Sequence, residues 1–462
     1  MRQRFLTFAV LGLILIGIGE WNLRSSKIAP LNSLNDLWLE FCVGNSGDKI
    51  QKPSISVVRI NDGYEPLNIG GDKSQGGNPR LSRLDFATIL KFVADMNPKA
   101  VSFLPTPTFN EENVLNKTDI VPLKDAAMQL PRFPVATAVS DDGEKAIEKQ
   151  PVSYTSLKVE GDASTVFPFS RTIRYPDAQI LSNGIPAFKA IESARGLIGD
   201  DEAKVPLIAR KGDQIIPSII LTSVASHAGV AADQISVNFT GKSPVIQLGE
   251  YRTIPINADG TMTLPNHSGL GHAIMTLQRN DEGEIVEKHH LTSLSVDELA
   301  YTGEANDEVA KRILSDFQGK FQSLSENLVV IGFDRTADRH INIPGGEILS
   351  ETSLITRAMA VIQSGRFLTW WPAWGRWLAV AAIALIALIL FKLPKGKFIP
   401  LTIASCLIYF SVWILIFKST LSWTPPFVAL ALFGLMLIVG LLIPAGAKKE
   451  AAAAEEEVPA EA

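Results

Sequence analysis

Four uncharged apolar runs constrain this chain more than any other feature: Phe5 to Gly19, Trp377 to Phe391, Phe398 to Phe417, and about Trp423 to Ile443. None of them contains Asp, Glu, Lys, Arg or His. A bilayer core about 30 Å thick takes roughly 20 helical residues, and about 17 at the short end. The last two runs satisfy this outright. The first and second reach it by borrowing Glu20-Trp21 and the stretch from Trp370. A mean hydropathy of +0.17 in a chain with 20% charged residues fits apolar residues gathered into such blocks. The sequence thus predicts four transmembrane helices, one before and three after a large intervening segment. Pumps and proton-coupled carriers need ionisable groups at depth, so ion-free runs favour an anchor or a signal-transmitting bundle.

Basic residues orient the runs. Arg2 and Arg4 precede the first, Lys392, Lys395 and Lys397 lie between the second and third, and Lys448 and Lys449 follow the fourth, with Lys418 on the other side. Both termini are therefore expected in the cytoplasm of a plasma (bacterial inner) membrane, with the large domain outside. All eight tryptophans lie near the runs, and FLTWWPAWGRW has the character of an interfacial belt. For the first run two alternatives stand: a retained anchor continuing into Trp21, or a cleaved signal with Gly17 and Gly19 near the cut. In either case the following segment is exported. The expected divisions are an anchor at 1–21, an extracytoplasmic domain at 22–369, a three-helix bundle at 370–444 and a short acidic cytoplasmic tail at 445–462.

With 43 Lys+Arg against 48 Asp+Glu the net charge is −5, which removes a general case for nucleic-acid binding. The two cysteines, Cys42 and Cys406, rule out a disulfide scaffold or a cysteine-rich metal site. Cys42 follows a predicted short helix capped by Ser33 and carrying Leu34, Leu37, Trp38 and Phe41. It reads as a buried apolar residue, with a bridge between two chains of a homodimer as the alternative. In the exported segment, ISVVRI (Ile55 to Ile60) and KAVSFL (Lys99 to Leu104) read as strands around a helix from Arg83 to Met96, a pattern that favours parallel pairing. Further strands are expected at Pro134 to Val139, Val205 to Arg210 and Asn327 to Gly332. Helices are expected near Ser218 to Gly229 and Glu347 to Gly365, and small β-rich insertions at Pro151 to Pro176 and Ile235 to Pro265. The fold class is α/β, with a mixed, largely parallel central sheet.

These residues carry a resemblance. The order ISVVRIND, SRLDFA, KAVSFLPTPTFNEEN, VPLIARKGDQIIPSIIL, IPINADGTMTLPN, ENLVVIGFDRTADRH, followed by three close apolar runs, resembles the second class of CHASE domains. These are the extracytoplasmic sensory modules of bacterial cyclases and kinases. Asp62, Arg83, Ala87, Pro217-Ser218, Asp259-Gly260, Gly332 and Thr336-Ala337 fall where the family pattern has them. Asn61 stands where the pattern has Asp, Phe86 where it has His, Pro105 where an acid is common, and LSETSLITRA replaces its glycine–valine–glutamate–histidine–alanine stretch. The resemblance implies a sensor domain, although several polar positions of the presumed pocket are altered. Such a domain normally continues into a cyclase or kinase, whereas AKKEAAAAEEEVPAEA follows here, so output is expected through a membrane or cytoplasmic effector.

No catalytic or metal-binding motif stands out. His289-His290 would point to opposite faces of a strand, and His267 and His272 lie in a glycine-containing stretch without a carboxylate. No cofactor is expected, and the chain is not read as an enzyme. Ligands of open α/β sheets bind beyond the carboxyl ends of the strands. Those ends supply Asn61, Asp62, Thr106, Asp334, Arg335 and Asp338, with Arg83 opening the helix after the first strand. They are the candidate binding residues for a small polar ligand outside the membrane. The plainer reading is an Asp62–Arg83 ion pair and loop caps. Two functions follow: a membrane-anchored extracytoplasmic sensor or ligand-binding subunit with its output on another chain, or an envelope scaffold derived from one.

Overall fold

The computed structural model describes residues 2–25, 28–44, 54–62, 64, 81–106, 109, 120–141, 152–193, 196–197, 204–240, 244–264, 276–279, 285–288, 292–296, 324–335, 340–343, 347–371 and 373–443. Asp338, Thr336-Ala337, the glycines from Gly70 to Gly77, His267, His272, His289, His290 and the tail at 445–462 lie outside the described residues. The chain divides into two compact units, Gly47–Phe367 and the flanking Met1–Ser46 with Leu368–Ala462. In chain order the helices are α1 (Arg2–Ser25), α2 (Ala29–Gly44), α3 (Arg83–Asp95), α4 (Ile120–Gln129), α5 (Ala178–Leu181), α6 (Ile219–Ala228), α7 (Glu351–Ser364), α8 (Ala373–Leu390), α9 (Lys395–Thr420) and α10 (Phe427–Leu442).

The larger unit is mixed α/β. Its main sheet contains β1 (Ile55–Ile60), β2 (Ala100–Phe103), β3 (Phe133–Ser140), β4 (Arg171–Arg174), β5 (Gly184–Ser193), β6 (Gly196–Leu197), β7 (Thr292–Ser295) and β8 (Leu328–Phe333). The order is β7-β1-β8-β2-β3-β5-β6, with β4 also on β3, and every pairing is parallel except those of β4 and β6. β1 and β2 are parallel as the strand–helix–strand pattern predicts, with β8 between them.

Both faces of the sheet are covered, which explains its nearly continuous apolar strands. Val329 and Ile331 pack on one side with Ile89, Leu90 and Val93 of α3 and Leu123 of α4. Leu328 and Val330 pack on the other with Ile220 and Val224 of α6 and Ala358 and Val361 of α7. The alternation follows from the two-residue repeat of a strand. Parts of the two expected insertions join in one small sheet, in which Ile235–Asn238 pairs with Lys158–Glu160 and Val245–Leu248, and the latter with Arg252–Pro255.

Two boundaries differ from expectation for local reasons. Val205 to Arg210 is two strands. Lys204–Pro206 pairs with Thr261–Thr263, and Ile208–Lys211 with Gln214–Pro217, because the Leu207 and Ile208 amides donate to Gly260 O at 3.1 and 3.3 Å. Glu347–Ser350 is a strand rather than the start of a helix. Extended Ser350 caps α7 by accepting from the Ser353 amide at 3.2 Å.

The smaller unit is helical, and α1, α8, α9 and α10 alternate in direction. At one end Arg4 Nε donates to Ile443 O at 2.6 Å, and Lys395 Nζ to Leu441 O at 3.0 Å, so two cations satisfy carbonyls at the end of α10. At the other end Arg376 pairs with Glu20 at 3.0 Å and Trp371 packs edge-on against Trp413 at 4.5 Å. There Thr369–Trp370 also pairs in parallel with Ser422–Trp423.

Among the described residues two helices, spanning Gln3–Asn22 and Lys395–Thr420, are long and apolar enough to cross a bilayer. α8 and α10, with 18 and 16 residues, are shorter than a standard span. The fourth run yields a short helix because Pro425-Pro426 bars an earlier start and Ser422–Trp423 is spent on the strand pair. Of the 28 large apolar side chains exposed among the described residues, 24 belong to this unit and 4 to the sheet unit. α2 packs Trp38 and Cys42 with Phe417, Leu421 and Trp423. The Cys42 thiol is buried, which opposes the bridge between chains, and burial pushes its pKa up to about 12.

Candidate functional site

The carboxyl ends of β1 and β8 leave the sheet side by side, since Ile60 is in register with Phe333. The Asp334 amide extends the ladder by donating to Ile60 O at 3.0 Å. This single pairing brings Asn61 and Asp62 next to Asp334 and Arg335. Arg59, one residue inside β1, donates from Nη1 to Asp334 Oδ2 at 3.2 Å. Arg335 lies over the Phe333 ring, with Cζ 4.0 Å from its centre. Asn61 Oδ1 and Arg59 Nε are buried and have no hydrogen-bond partner among the described residues.

The chain leaving β1 is tied to the start of α3. The Tyr64 amide donates to Asn61 O at 3.3 Å, and its hydroxyl donates to Asp85 Oδ1 at 2.9 Å. Asp85 is fully buried and closes a capping box, accepting from the Ser82 amide and hydroxyl at 2.7 Å each. The first amides of α3 are therefore partly satisfied by the chain's own side chains.

Two further candidates are committed to structural contacts. Arg83 grips Asp177 Oδ2 through Nη2 at 2.8 Å and Nε at 3.2 Å, and lies 4.7 Å from the Phe109 ring centre. The buried ion pair that the structure gives Arg83 is with Asp177. Asp177 also caps α5 by accepting from the Gln179 amide at 2.8 Å. Thr106 leaves β2, the strand beside β8, and donates its hydroxyl to Ala136 O of β3 at 3.1 Å. Asp338 lies outside the described residues.

Sequence reasoning missed Arg59 and Asp177. Arg59 carried a signal, the single charge in an otherwise apolar ISVVRI strand. Asp177 carried a weaker one, an acid just before a short helical turn. Taken together, Asn61, Asp62, Asp334, Arg335 and Arg59 offer carboxylates, guanidinium groups and an amide at one sheet edge. Such a set suits recognition of a small polar ligand bearing both donors and acceptors. Among the described residues no group of three or more His, Cys, Asp or Glu is placed to hold a metal ion. No family model matches the chain, and neither a curated protein nor a solved structure matches it.

Proposed function

We propose that this chain is a membrane-anchored extracytoplasmic sensor or ligand-binding subunit of bacterial signal transduction, of the kind its CHASE resemblance implies. The observation that carries the reading is the contrast between the units. A helical unit turns apolar side chains outward, and between two of its helices the chain inserts a doubly covered parallel sheet with polar groups gathered at its carboxyl edge. Water does not tolerate so much exposed apolar surface, whereas a bilayer requires it. In this reading α1, α8, α9 and α10 all lie in the membrane. Helices of 24 and 26 residues reach about 36 and 39 Å, and those of 18 and 16 reach about 27 and 24 Å, with modest mismatch accommodated by the bilayer. The end bearing Arg4 and Lys395 faces the cytoplasm, and an effector such as a kinase or cyclase receives the signal on that side.

Small polar metabolites screened by thermal shift against the full-length protein in detergent test this reading. A hit that stabilises the wild type and is lost in Asn61→Ala supports it. A screen without hits, or hits indifferent to Asn61→Ala and Asp334→Ala, counts against it. One observation favours the scaffold alternative: Arg83 and Thr106 are already occupied by internal contacts. A scaffold would be recovered from mild detergent with envelope proteins and without any signalling enzyme.

A further inference from the structure

Between α1, α8 and α10, at the tryptophan-bearing end of the helical unit, lies an open cleft. Its polar lining includes Glu20 and Arg376, and its apolar lining includes Ile16, Ile383 and Val428. Trp377 borders it and is 55% exposed, so the cleft reaches the surface of the unit. The Glu20 and Arg376 side chains remain 33% and 28% exposed while paired at 3.0 Å. Glu20 engages Nη1, and Nε is buried without an acceptor among the described residues, so the exposed part of the Arg376 side chain lies elsewhere than at Nε. One carboxylate therefore does not use up the guanidinium fork.

We infer that this cleft binds the headgroup of a zwitterionic phospholipid carrying a primary ammonium, with phosphate on Arg376, ammonium on Glu20 and an acyl chain along Ile16, Ile383 and Val428. This rests on the membrane reading, because the cleft then lies at the depth where tryptophans mark the headgroup layer. Charge selects the ligand class. A simple anion drawn to Arg376 meets Glu20 beside it, and a simple cation drawn to Glu20 meets Arg376. A phosphate–ammonium pair satisfies both. Guanidinium suits phosphate through its planar fork, and a primary ammonium brings three N–H donors to the carboxylate. A quaternary choline headgroup has no N–H to donate, so ethanolamine is preferred over choline.

The test uses full-length protein extracted in mild detergent, stripped of lipid by washing, and incubated with mixed micelles of phosphatidylethanolamine, phosphatidylcholine or phosphatidylglycerol. Retained lipid is then counted per chain by mass spectrometry. The expected result is about one ethanolamine lipid per chain, with at least about tenfold weaker retention of the other two. Arg376→Gln should reduce ethanolamine-lipid retention about tenfold. Glu20→Gln should shift the preference toward the anionic glycerol lipid, a gain that a misfolded variant cannot produce. Equal retention of all three lipids, or indifference to both substitutions, overturns the inference. Displacement by inorganic phosphate as effective as by phosphoethanolamine overturns it too, since the site would then read phosphate alone. Failure of the membrane reading shows separately, as recovery of the chain in the soluble fraction before any detergent is added.

Discussion

Arg83–Asp177 and Arg59–Asp334 are both arginine–aspartate pairs, yet burial gives them different weight. The side chains of the first are 4% and 9% exposed, those of the second 30% and 23%. Removing one partner of a buried pair costs about 3–5 kcal/mol, while exposed pairs contribute about 0–1 kcal/mol. Asp177→Ala also removes the cap of α5. It is expected to lower the thermal midpoint of the full-length protein in detergent by several-fold more than Asp334→Ala; equal losses would refute this ranking. His227 supplies a pH dependence. Burial lowers its pKa below 6.5, the Glu326 carbonyl at 3.3 Å opposes that shift in part, and nearby Lys99 reinforces it. The unfolded chain therefore takes up this proton first as pH falls. The stability contribution is full above about 6.5, declines below it, and levels off beneath the lowered folded value. Between about pH 7.5 and 5 the wild type should lose more of its thermal midpoint than His227→Gln, and parallel curves would exclude this histidine.

Among elements, β8 and α7 meet at a contact that only glycine permits. A Cβ on Gly332 would collide with the Thr352 side chain, whose hydroxyl donates to Phe333 O at 2.6 Å. Overpacking of this kind costs about 1–3 kcal/mol. Gly332→Ala should therefore unfold at lower temperature, and Thr352→Ala should recover part of that loss in the double variant, beyond additivity. Strictly additive losses would show that the crowding is relieved elsewhere. Elements buried on both sides were the legible ones. ISVVRI became β1 over the same residues, and the helix expected from Arg83 to Met96 is α3, Arg83–Asp95, whose Ser82 cap was not anticipated. α4 was not anticipated, since IVPLKDAAMQ has a proline in its first turn and buries just Leu123, Ala126 and Ala127. Nor was β5, where Pro186, Lys189 and Ser193 break the apolar run, or the four-residue β7. The candidate site's geometry was legible in part. The rule about strand ends finds Asn61, Asp62, Asp334 and Arg335, but nothing periodic links Arg83 to an aspartate 94 residues away.

For the whole molecule, the proposed membrane reading turns on which side of a bilayer the sheet unit would occupy. The cations at the Arg4–Lys395 end and the tryptophans at the Trp371–Trp413 end give the helical unit a polarity, and positively charged short loops stay in the cytoplasm. On the proposed membrane reading, a chain that leaves α1 at the tryptophan end and re-enters at α8 would fold its sheet outside. The prediction can be read with single cysteines in a Cys42→Ala, Cys406→Ala background, at exposed Lys158 on a strand of the small sheet and exposed Lys397 at the start of α9. A membrane-impermeant maleimide, applied to cells with a permeabilised outer membrane, should label Lys158→Cys at once and Lys397→Cys after lysis. The opposite order would turn the protein around and put the carboxyl edge of β1 and β8 in the cytoplasm, where it would sense an internal ligand. Labelling of both before lysis, with the chain in the soluble fraction, would mean that the exposed apolar faces of α1 and α9 are covered by protein rather than lipid.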